Sequence, residues 1–210
     1  MEFYEVLERR RTMRDMSDRE VSEEKLERII GAAFKAPTND HLRQFEFVVV
    51  RDAKRIAELT KPLAGNIAKF TSENVDALAA TMDKDEYAMF VHAMPRQQRM
   101  LCASKCLVLP FFRQLGCPLL NPGWQSGLNY FASAWAAIEN MLLAATAEGL
   151  VCAFHVPIED EAEYVKRIVH APAGYELPCF LAIGYPEDGA HVCVQKEIDP
   201  KLRIHVNGFG

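Results

Sequence analysis

The sequence predicts an α+β fold, with helices and strands sorted into layers around one core. Three observations carry this. Some segments place apolar residues at three- and four-residue steps and others hold short continuous apolar runs, so both helical and strand periods are present. These segments alternate irregularly, which argues for α+β layers over a doubly wound sheet. Half of the 210 residues are apolar and a quarter are charged, which suits one sizeable core spanning 1–210.

In chain order, residues 2–14 are expected to form an amphipathic helix, with Phe3, Val6, Leu7 and Arg10 on one face, ended by Met16-Ser17-Asp18. A second helix starts near Ser22, a suitable N-cap, with Val21 and Leu26 placed as a hydrophobic staple. Ile29, Ile30, Ala33 and Phe34 form its apolar stripe, and Pro37 ends it. The loop Pro37 to His41 leads into a strand, Phe45 to Val50, rich in β-branched and aromatic residues. A short helix is expected over 53–60. The region 65–105 is polar, Met-rich and weakly periodic, and reads as a helical excursion that covers a site. Cys106 to Phe112 reads as a buried strand that Pro110 pushes towards an edge or a bulge, followed by a Gly- and Pro-rich loop over 116–123.

Residues 125–148 carry the strongest helical pattern. Leu128, Phe131, Trp135, Ile138, Leu142 and Ala145 make one apolar side and Ala134, Ala137, Met141 and Ala144 a second. A helix apolar on most sides is buried in a core or at a subunit interface. Gly149 is its natural stop. A strand over Val151 to Val156, a helix over 160–169, a strand from Pro178 to Pro186 and an extended polar tail after 195 complete the chain.

The net charge of −5 argues against broad nucleic-acid binding, which needs a basic face. No apolar run reaches the roughly 18 residues of a membrane span. The N-terminus is acidic and helical in pattern, unlike a signal peptide. The six cysteines form no CxxC pair and fit no zinc or iron–sulfur spacing, so no metal is expected and the thiols read as small buried residues in a reducing cytoplasm. GxGxxG and GxxxxGK[ST] are both absent, so the common dinucleotide and P-loop cradles are missing.

Against this acidic background stand two basic clusters, Arg10-Arg11-Thr12-Met13-Arg14 and the pair Lys201 and Arg203. They suggest an anion site, with the phosphate of a bound cofactor as the best candidate, because arginine presents a planar fork of donors to phosphate oxygens. The plainer alternative is a solvated helix face, with Arg10 and Arg11 pairing Glu5 or Glu8 and Arg14 pairing Asp15 or Asp18.

Five segments, in order, resemble the nitroreductase family of FMN-dependent oxidoreductases. The Arg10 to Arg14 pentad is similar to the family's RRSxR signature, and Ala36-Pro37-Thr38 to its APS loop. Ile138 to Ala145 with Glu148-Gly149-Leu150 resembles the central helix and GL turn. Pro178 to Pro186 resembles the late strand, and Lys201-x-Arg203 the C-terminal KxR. The loop departs from the common PSxxNxQPW form, with His41 where Asn is usual and Arg43 where Gln is usual. That His, with the segment Gly149 to Ile158, looks closer to the branch holding iodotyrosine deiodinases and BluB enzymes. The deiodinases' Glu, Tyr and Lys lid constellation is not recognisable in 65–105, beyond a hint in Glu86-Tyr87.

The resemblance implies a central, mainly antiparallel sheet surrounded by helices, in an intertwined homodimer with shared active sites. It implies FMN as cofactor, NADH or NADPH as electron donor, and a small electron-poor acceptor. Arg10, Arg11, Thr12, Lys201 and Arg203 would meet the phosphate, and Arg14 the pyrimidine edge of the flavin. Pro37, Thr38, Asn39 and His41 would contact the ring or ribityl chain. Phe154, His155 and Val156 would face flavin N5, and since that triplet holds no Ser or Thr, any bond to N5 comes from backbone or His155. A plain core strand is the equal alternative there. No side-chain nucleophile is expected, since the flavin carries the redox chemistry. Nitro or quinone reduction leads. Reductive dehalogenation or BluB-like flavin chemistry is the alternative, and a flavin-binding store or sensor without turnover is a third reading.

Overall fold

The structure, a computed structural model, describes residues 2–114, 123–193, 195 and 197–209. Its helices are α1 (Phe3–Arg9), α2 (Glu23–Ala33), α3 (Ala53–Leu59), α4 (Leu63–Thr81), α5 (Lys84–Ala93), α6 (Gln97–Ala103), α7 (Asn129–Ala147) and α8 (Glu161–Ile168). Its strands are β1 (Phe45–Val50), β2 (Leu107–Arg113), β3 (Val151–His155), β4 (Tyr175–Glu176) and β5 (Phe180–Gly184). The sheet runs β1-β2-β5-β3, with β4 on the far end of β2, and every strand pair is antiparallel. This is the α+β layering expected.

Helices cover both faces of the sheet. On one side Val108, Phe112, Cys152, Leu181 and Ile183 pack with Leu26 and Ile29 of α2 and with Ala137, Ile138 and Met141 of α7. On the other, Leu107, Leu109, Phe111, Ala153, Phe180 and Ala182 pack with Ile56 and Leu59 of α3, Leu63 of α4, Leu101 of α6 and Val165 of α8. Successive strand residues point to opposite faces. Here both faces are apolar, so the strands read as continuous hydrophobic runs.

Several helix ends follow local chemistry. The Ser22 hydroxyl accepts from the Lys25 N–H at 3.4 Å, so the expected N-cap is in place. Asp83 and Glu86 close a reciprocal capping box at the start of α5. Gly149 ends the turn after α7 at φ +75°, in the region that favours glycine.

Four expectations need correction. The first helix stops at Arg9, and residues 10–14 are not helical. The cause is tertiary: Thr12 forms a parallel bridge with Cys152, and the Met13 N–H donates to the Cys152 carbonyl at 3.2 Å. Arg14 therefore does not sit one turn beyond Arg10. Pro110 lies on a central strand, not an edge. The Arg113 N–H donates to Gln44 on the β1 side, so by alternation Pro110 turns its missing N–H the other way, into the gap between the β5 and β4 pairings. The α-helix expected from 125 begins at Asn129, after a 3-10 turn at Gln125–Leu128. The tail forms a 3-10 turn at Pro200–Arg203. Sequence reading missed the two-residue β4. Most of the loop expected over 116–123, with Cys117, lies outside the described residues.

Cys106, Cys152 and Cys179 are buried as expected, but Cys102 is exposed and Cys193 half-buried. Burial pushes the Cys106 thiol up to about 11 and raises Cys152 and Cys179 as well, so these three stay protonated and unreactive near neutrality. Among the described residues, no helix is long and apolar enough to cross a membrane, and no group of three His, Cys, Asp or Glu is arranged to hold a metal ion.

Candidate cofactor site

The bridge between Thr12 and Cys152 places the arginine pentad against β3. Arg10, Arg11 and Thr12 line a small cavity with Cys152, Phe154 and two residues of α7, Leu142 and Thr146. Arg10 points its Nε towards Glu139 of α7 at 3.8 Å, so the partner is Glu139 and neither Glu5 nor Glu8. Arg11 turns one nitrogen back onto the carbonyls of Glu8 and Arg10, closing the C-terminal end of α1. Met16 and Ser17 continue along the sheet end: Met16 bridges Pro186, and the Ser17 N–H donates to Tyr185 O at 2.9 Å.

Arg14 faces the other way, into an open cleft of about 830 Å³ shared with Thr12, α5 and the residues His191 and Cys193. One guanidinium nitrogen lies 3.9 Å from the Cys193 sulfur. Its Nε is buried with no partner, an orphaned donor of the kind that calls for an acceptor. Neither Asp15 nor Asp18 pairs with it; Asp18 pairs with Lys105 at 2.9 Å. α5, within the 65–105 region, lines one side of the cleft. It also brings in His92, which sequence reading did not single out.

In β3, Phe154 and His155 point to opposite faces. The Phe154 ring meets Trp135 of α7, edge to face with centroids 5.3 Å apart, on the side of the arginine pentad. His155 goes into the opposite core. It is 3% exposed, and its Nε2 lies 2.6 Å from Glu161 Oε2, whose residue is fully buried. The same carboxylate oxygen accepts the Ile158 N–H at 3.0 Å. The His155 side chain is therefore committed away from the candidate site, and only backbone can offer a donor there. Val156, just past the strand, is exposed.

The loop of Pro37, Thr38, Asn39 and His41 sits elsewhere. The Asn39 N–H donates to the Ser133 hydroxyl near the start of α7 at 2.9 Å, and Thr38 Oγ1 accepts from the Arg43 N–H at 3.3 Å. Asp40, His41 and Arg43 all have positive φ, between 46° and 56°, an irregular turn with His41 exposed. Ser133 precedes Leu142 and Thr146 by nine and thirteen residues, so loop and pentad lie ~14–20 Å apart along α7. Lys201 and Arg203 lie in the exposed 3-10 turn, and among the described residues neither side chain forms an ion pair. One chain thus joins Arg10, Arg11, Thr12 and Phe154, sets Arg14 on a separate cleft that shares Thr12 with them, and leaves the loop and the C-terminal pair apart.

Solved structures share this architecture across almost the whole chain. An iodotyrosine deiodinase bound to FMN and 3-iodo-L-tyrosine superposes with a TM-score of 0.78 at 19% identity, covering 99% of this chain and 100% of that one. A BluB-like flavoprotein from Clostridium difficile 630 gives 0.70 at 21% identity, covering 99% and 100%. At this level of identity the likeness defines a nitroreductase-type fold. The nitroreductase family model matches residues 7–185, and the chain belongs to that family. Relatives include an iodotyrosine deiodinase of Haliscomenobacter hydrossis, 26% identical over 91% of this chain and 82% of its own length. Another, from Nematostella vectensis, is 24% identical over 91% and 69%.

Proposed function

We propose that the protein is an FMN-dependent oxidoreductase acting as a homodimer. The observation that carries this reading is the Thr12–Cys152 bridge, which sets Arg10 and Arg11 beside Phe154 and brings Arg14, whose buried Nε has no partner, to the lining of the large cleft. The donor set suits the group. Arg10, Arg11 and Thr12 supply cationic forks and a hydroxyl for a phosphate, with Lys201 and Arg203 joining when the exposed tail is drawn in. Arg14 supplies a cation for the edge of a ring that gains negative charge on reduction. Pro37, Thr38, Asn39 and His41, too far along α7 to reach the pentad within one chain, serve the site of a second copy. Backbone at 154–156 lines the ring's other side.

When bound, FMN supplies a hydride-accepting N5 that links NADH or NADPH to an electron-poor acceptor, a nitroaromatic or quinone, in a ping-pong cycle. The chain's part is to hold the phosphate, orient the ring and keep a cation at its edge; no side-chain nucleophile takes part. The test is the double variant R10A/R203A, expected to fold as a dimer and purify without flavin. Stoichiometric FMN in that variant would sink the phosphate-site assignment.

The deiodinase relatives favour a second reading, reductive dehalogenation of a halogenated phenol. Halide release from 3-iodotyrosine by the dithionite-reduced, FMN-loaded protein decides it, and no release leaves the first reading standing.

A further inference from the structure

Two histidines that the cofactor reading does not use meet in the large cleft. His92 lies in the last turn of α5, and His191 follows β5. Their ring centroids are 5.3 Å apart at an interplanar angle of 49°, and both line the cleft that holds Thr12 and Arg14. His191 is held there by its backbone, whose N–H donates to the Asp15 carboxylate at 3.1 Å. Asp15 in turn accepts the Glu187 N–H on its carbonyl at 3.2 Å. The imidazole from the far end of the chain is thus pinned to the residue next to Arg14, and His92 meets it from α5.

Two of the other polar groups of the cleft are engaged elsewhere. Asp83 and Glu86 are engaged in the capping box at the opposite end of α5. Glu86 precedes His92 by six residues, ~9 Å of helix. Arginine cannot be deprotonated in proteins, so Arg14 offers charge without a proton. Imidazole is the side chain whose ordinary titration falls near neutrality. Between the two polar ends Ala88, Met89, Phe90 and Ala93 line an apolar stretch that suits a planar aromatic molecule.

We propose that the His92–His191 pair is the proton donor to the acceptor, and that the acceptor is a quinone-type aromatic carbonyl. This rests on the oxidoreductase reading above. Reduction of a quinone to its hydroquinone takes two electrons and two protons. One proton would arrive with the electrons, as a hydride that bound, reduced FMN would supply, at one oxygen. The other comes to the second oxygen from the imidazolium, whose N–H bond breaks as the O–H bond forms. Water then reprotonates the imidazole.

The surroundings make this proton easy to give. Arg96, whose Nη1 donates to the His92 carbonyl at 2.6 Å, depresses the proton affinity of His92 most, followed by partial burial, His191 and Arg14, with Asp15 opposing. Among the described residues, Cys193 and the carboxylates of Asp83, Asp85 and Glu86 at the α5 start also line the cleft. Acceptor reduction therefore falls as pH rises, with a midpoint below that of an ordinary histidine.

The test uses the FMN-loaded full chain, reduced anaerobically with dithionite so that no nicotinamide is needed, and mixed with 1,4-benzoquinone. General acids contribute roughly 10²- to 10⁴-fold, so the H92Q/H191Q variant should reoxidise at least about tenfold more slowly, lose the pH dependence, and recover with added imidazole. A readout independent of turnover is the NMR titration of the ring protons, in which H191Q should raise the midpoint of His92. Wild-type reoxidation in the double variant, or a His92 titration unmoved by H191Q, overturns the proposal alone. A chain that takes up no FMN overturns the oxidoreductase reading, and this proposal falls with it.

Discussion

Phe180 and Phe209 are the same residue type in opposite situations. Phe180, in the middle of the sheet on β5, has no exposure, and its ring lies 5.8 Å from that of His155. Phe209, in the tail, is 94% exposed, and Ile204, Val206 and Leu202 beside it are each at least 67% exposed. The contrast lies in the apolar side chains and does not extend to polar groups. In the core, His155 Nε2 and the Ile158 N–H both bond Glu161 Oε2, while Glu161 Oε1 is buried without a partner. Arg14, on the rim, keeps a buried donor without an acceptor. The sheet and its flanking helices bury their apolar side chains within one chain, while the tail leaves its own in solvent.

The largest expected effect tests the buried half. Phe180→Ala removes a ring from a site closed on all sides, and large-to-small changes of this kind cost about 3–5 kcal/mol through lost burial and the cavity left behind. Phe209→Ala removes the same ring from solvent and should stay within about 0.5 kcal/mol. Urea unfolding of the two variants measures the difference. Equal losses would mean that the tail packs on its own chain.

How legible each half was in the sequence follows the same division. β1 and α2 appear where periodicity and capping put them, because their signals are local: a β-branched run, a serine N-cap, an apolar stripe. Both apolar faces of the sheet made the strands easy to find. The same symmetry hid which face each residue takes, so His155 could be read as facing a ligand when its parity sends it to Glu161. The pentad Arg10 to Arg14 read as helix because its competitor, the carbonyl of Cys152, lies far away in sequence. The His92–His191 contact is illegible for the same reason, since it needs α5 and the segment after β5 to be folded first. The split between the 37–41 loop and the pentad along α7 emerged only when Ser133 and Leu142 were seen to mark different levels of one helix.

A middle-sized effect probes the join between the halves. Gly184 ends β5, and a Cβ there would meet Met16 Sδ at 3.1 Å and Met16 Cβ at 3.3 Å. Met16 is two residues past Arg14 and is buried against the sheet, so the glycine lets the arginine segment lie close to β5. Gly184→Ala should cost about 1–3 kcal/mol by overpacking, and should lower FMN content by displacing Arg14. Gly31→Ala, in α2 with nothing within 4 Å of an added Cβ, is the control. It should stabilise by roughly 0.5–1 kcal/mol through helix propensity and leave FMN content alone. Thermal melts with a flavin absorbance reading separate the two. If Gly184→Ala melts lower yet keeps its FMN, the Arg14 segment does not need that close seat.

The smallest effect on folding asks whether a second copy covers the tail. Leu202 and Ile204 flank Arg203 and are 75% and 67% exposed, so Leu202→Asn with Ile204→Asn removes little burial within the chain. Its effect on chain stability should stay within about 0.5 kcal/mol. If a second copy covers the tail, the same change places polar side chains in an apolar interface, and light scattering at micromolar concentration should show the mass shift from dimer towards monomer. Because Lys201 and Arg203 travel with this tail, FMN should leave as the dimer comes apart. A variant that stays dimeric and yellow would place the dimer contact elsewhere, with the exposed side chains of Phe3, Tyr4 and Leu7 on α1 the next surface to change.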